Sequence, residues 1–165
     1  MRVHIIFGPQ GAGKTTYART LAARHGGVVF SIDEWMAELY LADAPAPLDL
    51  AWIRERVARC RARIWATAAD VVRSGGTVLL DIGLLSAEER AQALRMAHER
   101  GIGVELHYLQ APAVLRRQRV LARNANGATR SFEVSPQMFD FMESLFEPPG
   151  PDELARCRIV ETVPS

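Results

Sequence analysis

Lysine is nearly missing from this chain: its 20 Lys and Arg residues include a single lysine, Lys14. Arginine presents a broad planar fork and lysine a compact point charge, so a chain biased this far toward arginine keeps Lys14 where a small ammonium is needed. Cysteine is scarce too. Cys60 and Cys157 stand far apart, with no C-x-x-C and no histidine at ligand spacing, which argues against a zinc site and against a disulfide scaffold. The four histidines, His4, His25, His98 and His107, show no ligand spacing and receive no role. The net charge is only +1, so no global field steers the molecule toward nucleic acid or an anionic membrane, and any basic site must be local. No apolar run approaches the ~20 residues of a membrane span, and the first residues enter a strand directly. Neither a signal peptide nor an anchor is expected, and a cytoplasmic protein with reduced thiols is. A chain of 165 residues, 48% hydrophobic and 24% charged, fits one globular domain over 1–165.

What is present begins with an apolar run, Val3, Ile5, Ile6 and Phe7, leading into Gly8-Pro9-Gln10-Gly11-Ala12-Gly13-Lys14-Thr15. This is G-x-x-x-x-G-K-T. A buried strand delivers the chain to a turn whose glycines accept left-handed or crowded backbone, and a helix starting near Gly13 adds its positive end. The expected result is an anion nest for nucleotide phosphates, lined by Gly8, Gln10, Gly11, Ala12, Gly13, Lys14, Thr15 and Thr16. Lys14 would bridge the β- and γ-phosphates of ATP, and the Thr15 hydroxyl would ligate Mg²⁺.

The rest of the chain alternates strands and helices. The first helix ends at Gly26-Gly27, Val28–Ser31 is a short buried strand, and Asp33-Glu34-Trp35 opens a helix through Met36, Leu39 and Tyr40. A long helix runs from Leu50 to Arg73, with Ile53, Val57, Cys60, Ile64, Ala68 and Val71 on one face and Arg56, Arg59 and Arg63 on a solvated one. Residues 77–81 form a buried strand ending on Asp81, and Ser86 with Glu89 makes a capping box for the next helix. Val104–Leu109 is the fourth strand. An arginine-rich helix follows Ala111-Pro112, carrying Arg116, Arg117, Arg119 and Arg123, and breaks at Asn124-Ala125-Asn126-Gly127. A polar flap or lid spans about 124–135, Ser135-Pro136 opens another helix, 146–151 is an extended linker, and Arg158–Glu161 is the last strand. This alternation implies a parallel sheet with helices on both faces and a ligand crevice at the carboxyl ends of its strands.

Asp33, Asp81, Arg119 and Arg123 all fall at that crevice. Phosphoryl transfer needs a carboxylate that takes or orients the acceptor proton, a carboxylate near Mg²⁺, and guanidinium groups for the transferring phosphoryl. Asp81, ending an apolar run, suits the metal; Asp33 suits the acceptor, and which of the two is the base stays open. Arg119 and Arg123 share a helix face. Each has a plainer reading: Asp33 as a helix cap, the arginines of 116–123 as a solvated face, Trp35 and Met36 as core.

These residues resemble the small P-loop kinases that include chloramphenicol phosphotransferase, zeta toxins and polynucleotide 5′-hydroxyl kinases. The likeness runs from the phosphate loop through Ser31-x-Asp33, Leu80-Asp81, Glu88-Glu89-Arg90 and Leu109-x-Ala111-Pro112 to Arg119-x-x-x-Arg123. It also extends to bacterial ATP-binding proteins with the run Ser31 to Met36 and the tail Phe146 to Pro149. The resemblance implies a P-loop three-layer α/β sandwich with a five-stranded, mostly parallel sheet and an arginine-rich lid. It further implies that Asp33 activates an acceptor hydroxyl while Arg119 and Arg123 bind the ATP phosphates. Polynucleotide kinases carry an arginine three residues after that aspartate, where this chain has Met36, which favours a small-molecule hydroxyl acceptor. A nucleic-acid 5′-hydroxyl and a nucleotide-dependent switch remain the alternatives. Neither GTP nor an oligomeric state is decided by these residues.

Overall fold

The computed structural model describes residues 2–47, 49–125 and 134–162. Five strands, β1 (Val3–Phe7), β2 (Val28–Ser31), β3 (Val78–Asp81), β4 (Val104–Gln110) and β5 (Cys157–Glu161), form one sheet in the order β2-β3-β1-β4-β5. Every neighbouring pair is parallel, where a mostly parallel sheet was expected. The helices are α1 (Lys14–His25), α2 (Ile32–Tyr40), α3 (Leu50–Arg73), α4 (Ala87–Glu99), α5 (Ala113–Ala125), α6 (Pro136–Leu145) and α7 (Pro151–Leu154). No described helix is long and apolar enough to cross a membrane.

Alternation along β1 builds the three layers. Val3, Ile5 and Phe7 join a core with Cys60, Ile64, Trp65 and Ala68 of α3 and Ala93 and Ala97 of α4. Ile6, on the other face, packs with Ala18, Leu21 and Ala22 of α1 and with Leu79 and Leu109. A strand covered on both faces has no polar side to show, hence the continuous apolar runs. Strand order reverses beside β1, so the loop that leaves its carboxyl end lies at the topological switch point, where such sheets bind ligands.

Local signals set most boundaries. Gly26 ends α1 at φ 62°, its N–H donating to Ala22 O, and Ser86 and Glu89 form the reciprocal capping box of α4. Ser135 caps α6 with Pro136 in the first turn. Some expectations change. The cap of α2 is Ser31, so Asp33 lies within the first turn and does not cap it. α5 continues to Ala125, past the expected break at Asn124, and the expected linker ends where Pro151 opens α7. Most of the lid expected at 124–135 falls outside the described residues.

On α3, Cys60, Ile64 and Ala68 are buried while Ile53, Val57 and Val71 pack partly buried, and Trp65, Ala69 and Val72 complete the face. Arg59 and Arg63 are exposed as expected. Arg56 is not on a solvated face: its guanidinium lies 4.0 Å from the Trp52 ring centroid and 5.8 Å from that of Tyr40. Stacking on two aromatic faces is favourable for a weakly hydrated guanidinium, and it draws the side chain inward.

One buried cation fastens the carboxyl-terminal tail. Arg90 is fully buried, its guanidinium 5.0 Å from the Phe7 ring centroid, and Phe7 stacks on Tyr108, which stacks on Phe146. Arg90 donates to both carboxylate oxygens of Glu153, at 2.5 and 3.0 Å, and to Glu147 O at 2.9 Å. Glu147 in turn accepts from Ala87 N at 2.8 Å. Removing one member of a buried ion pair strands the other, so Arg90→Leu is expected to cost about 3–5 kcal/mol. A urea midpoint unchanged from wild type would show that this cluster does not hold the tail.

Candidate active site at the phosphate loop

The loop between β1 and α1 is shaped by three glycines of positive φ: Gly8 at 146°, Gly11 at 78° and Gly13 at 88°. Two of them also make close approaches. A Cβ on Gly8 would lie 2.4 Å from Leu109 O, and one on Gly11 would lie 2.5 Å from Arg116 O. Gly13 caps α1 without any side-chain hydrogen bond, so the first-turn N–H groups of α1 are left for an anion. Lys14 donates from Nζ to Gly8 O at 3.0 Å and to Pro9 O at 3.1 Å, which curls its ammonium over the loop.

Thr15 and Asp81 come together across the crevice. The Thr15 hydroxyl donates to Asp81 Oδ2 at 2.6 Å. Burial pushes the Asp81 carboxyl above its ordinary range; Lys14 and the Thr15 hydrogen bond pull it down, while Asp33 and Glu34 push it up. A buried carboxylate under such pressure, bonded to a hydroxyl, offers oxygen donors of the kind that suit a hard divalent cation such as Mg²⁺. Asp33 itself is exposed, on α2 directly after β2, whose Ser31 pairs with Asp81.

The arginines of α5 divide by face. Arg116 does not belong to a solvated face: it is buried and donates from Nε to Ala111 O at 2.9 Å and from Nη1 to Gln10 O at 3.2 Å, and it pairs with Glu143 of α6. Arg119 stands beside Gly13 and donates to Thr162 Oγ1 at 3.0 Å; Thr162 donates to Ala12 O at the same distance. Arg123 completes this face, and its buried Nε and the buried Oε1 of Gln10 find no partner among the described residues. The orphaned Gln10 oxygen in the loop fits a site built for a polar ligand. Arg117, turned outward, pairs with Asp140.

Lys14, Thr15, Asp81, Arg119 and the loop residues therefore share one edge, with Asp33 on the neighbouring element. Met36 and Trp35 take their plainer reading: Met36 is buried in the core, and Trp35 packs against it, edge-on to Phe30. A cleft of 250 Å³ between α3 and α4 begins at Ile82, next to Asp81. Its charged members, Arg61 and Glu89, pair at 2.8 Å, and Arg61 also donates to Ile82 O and Gly83 O. Sequence reasoning missed Arg116 and Thr162. Arg116 had a signal, since it shares a face with Arg119 and Arg123 at helical spacing; Thr162 had none.

An all-parallel sheet with a G-x-x-x-x-G-K-T loop leaving its central strand defines an α/β P-loop fold of the kinase type. A family model described as an AAA domain matches residues 3–149, and the chain belongs to that family. It is 33% identical over 125 residues to a shikimate kinase of Xanthomonas campestris pv. campestris, a match covering 74% of this chain and 62% of that protein. The chain thus spans less than two thirds of the curated relatives it matches. Among solved structures, it resembles a candidate kinase from Chloroflexus aurantiacus (TM-score 0.74, 20% identity, 97% of this chain and 87% of the other). It also resembles a gluconokinase from Sinorhizobium meliloti (TM-score 0.63, 15% identity, 99% and 84%). These likenesses establish the fold.

Because Arg116 holds the Ala111 carbonyl with Nε and the Gln10 carbonyl with Nη1, two separate bonds that the single ammonium of lysine does not reproduce together, Arg116→Lys is expected to weaken nucleotide binding about 10-fold, the worth of one charged hydrogen bond. Titration with a fluorescent ATP analogue checks this; an unchanged Kd with unchanged circular dichroism would remove Arg116 from the loop's support.

Proposed function

We propose that this chain is an ATP-dependent phosphotransferase that moves the γ-phosphoryl of Mg-ATP to a hydroxyl of a small molecule of antibiotic, sugar or nucleoside type. The observation that carries the reading is the joining of Thr15 to the buried Asp81 directly behind the Lys14 loop, with Asp33 on the adjoining element. The kinase names of the shikimate kinase and gluconokinase relatives support the same reaction class.

In this reading the loop N–H groups and Lys14 bind the phosphates, and Arg119 and Arg123 neutralise charge on the transferring group. Thr15 and Asp81 would hold Mg²⁺, which would supply further charge neutralisation at the phosphates. Asp33 accepts the proton of the acceptor hydroxyl as the acceptor oxygen bonds to the γ-phosphorus and the bond to the β–γ bridging oxygen breaks, releasing ADP. A nucleic-acid acceptor is disfavoured, since Met36 stands in the core at the position where polynucleotide kinases carry arginine. A site that works in the cytoplasm on a small acceptor must also exclude water, or it would hydrolyse ATP.

The test is ³¹P NMR of the protein with Mg-ATP and a pooled library of hydroxyl compounds. A new phosphomonoester signal is expected, and Asp33→Asn is expected to lower kcat by about 10²-fold or more with nucleotide affinity nearly unchanged, the range of general-base loss. Wild-type transfer by the Asn variant would take Asp33 out of the mechanism; inorganic phosphate as the sole product would turn the reading toward a nucleotide-dependent switch.

A further inference from the structure

On the sheet face covered by α1, three donor side chains converge. The parallel register sets His4 directly opposite Glu105, and His107, two residues along β4, returns to the same face. His4 Nδ1 lies 3.0 Å from His107 Nε2 and 3.7 Å from Glu105 Oε2, and Glu105 Oε1 lies 3.6 Å from His107 Nε2. Both imidazoles are buried, and Glu105 is the partly exposed member. We propose that His4, Glu105 and His107 form a binding site for one divalent transition-metal ion of the zinc class, with water on the Glu105 side completing its coordination. This inference is independent of the proposed phosphoryl transfer.

The donor set selects the ion. Two imidazole nitrogens and one carboxylate suit zinc and its late first-row neighbours, whereas Mg²⁺ and Ca²⁺ take oxygen donors. Metal–ligand bonds of about 2.0–2.2 Å in a tetrahedron place donor atoms ~3.3–3.6 Å apart; the two nitrogens lie 3.0 Å apart and each faces a different Glu105 oxygen, at 3.7 and 3.6 Å, so a turn of the partly exposed carboxylate would bring one oxygen to a metal held by both. The Tyr17 hydroxyl lies 2.9 Å from His107 Nδ1, so it occupies that nitrogen and leaves Nε2 directed at His4 and Glu105. Such an outer partner on the second ring nitrogen is the usual companion of a metal-bound histidine. The His4–His107 contact joins the two inner nitrogens, and the Glu105 carboxylate, which faces both rings, completes a three-ligand set.

The surrounding charges leave the site accessible to a cation. Arg2 and Arg158 each stand 3.6 Å from Glu105, at the rim, with side chains 66% and 63% exposed, so both guanidiniums can turn to solvent when a metal takes the carboxylate. His25, at the exposed end of α1, stacks on His4 with ring centroids 5.7 Å apart.

Chelator-treated protein titrated with Co(II) in excess Mg²⁺ tests the site, since Mg²⁺ competes for the oxygen donors Thr15 and Asp81 but not for imidazole. One equivalent of Co(II) is expected to give the visible bands of a four- or five-coordinate ion, displaced by one equivalent of Zn(II). Glu105→Gln and His107→Gln are each expected to raise the Co(II) Kd by more than the ~100-fold at the top of the range for losing an outer partner, and Tyr17→Phe by about 10-fold. Glu105 is partly exposed, so Glu105→Gln keeps the fold even if His107→Gln does not, and circular dichroism verifies it. Absence of the bands at stoichiometric Co(II), or bands of unchanged affinity in Glu105→Gln, would overturn the proposal.

Discussion

The phosphate loop is gripped by backbone on both sides. Leu109 O of β4 leaves no room for a side chain on Gly8, and Arg116 O of α5 leaves none on Gly11. The same Arg116 sends its guanidinium back to Gln10 O, and Thr162, just past β5, donates to Ala12 O. Strands on one side of β1 and a helix beyond them thus hold the loop at several successive residues. A loop held in this way presents its N–H groups without reordering when a ligand arrives, so less of the binding energy is spent on organising the site. The sheet order matters for this reason: placing β4 beside β1 and β5 beside β4 brings the elements that grip the loop to one edge.

A chain of net charge +1 concentrates both signs at that edge. Lys14, Arg116, Arg119 and the positive end of α1 gather around the loop, with Asp81 at the end of β3 and Asp33 on α2 beside it. The two groups are not equivalent energetically. Arg116 is buried but fully engaged, with carbonyls and Glu143 as acceptors, so its charge is already compensated. Asp81 is buried, and against that burial and its acidic neighbours stand only Lys14 and one hydroxyl donor, so its charge is compensated only in part. A buried carboxylate short of positive partners is the element of the site that most gains from an incoming cation.

Much of this was legible from residue order. The strand-loop-helix signature placed Lys14 and Thr15, the bounds of α3 coincided with Leu50 and Arg73, and Ser86-x-x-Glu89 marked the start of α4, because each is a local rule acting over a few residues. What escaped was non-local. A run of arginines on a helix reads as solvated unless something is known to pack on it, and only the seating of α5 against the loop turns Arg116 inward while Arg117 meets Asp140 outside. Arg56 escaped in the same way, through aromatic partners on two elements. His4 and His107 are 103 residues apart, so no ligand-spacing rule joins them. The alternation Glu105-x-His107 on one strand face was visible, but its third member depended on the β1–β4 register.

That register also separates two kinds of donor. At the carboxyl edge the available atoms are oxygens, from Thr15, Asp81 and Asp33, which favour a hard ion that keeps its water and binds along with phosphate. Beneath α1 they are two buried nitrogens with a single carboxylate, which favour a softer ion. Tyr17 lies one turn beyond Lys14 on α1, so the helix that presents its first turn to the phosphates also orients His107. The two donor sets differ in chemistry, and one short helix contributes to both.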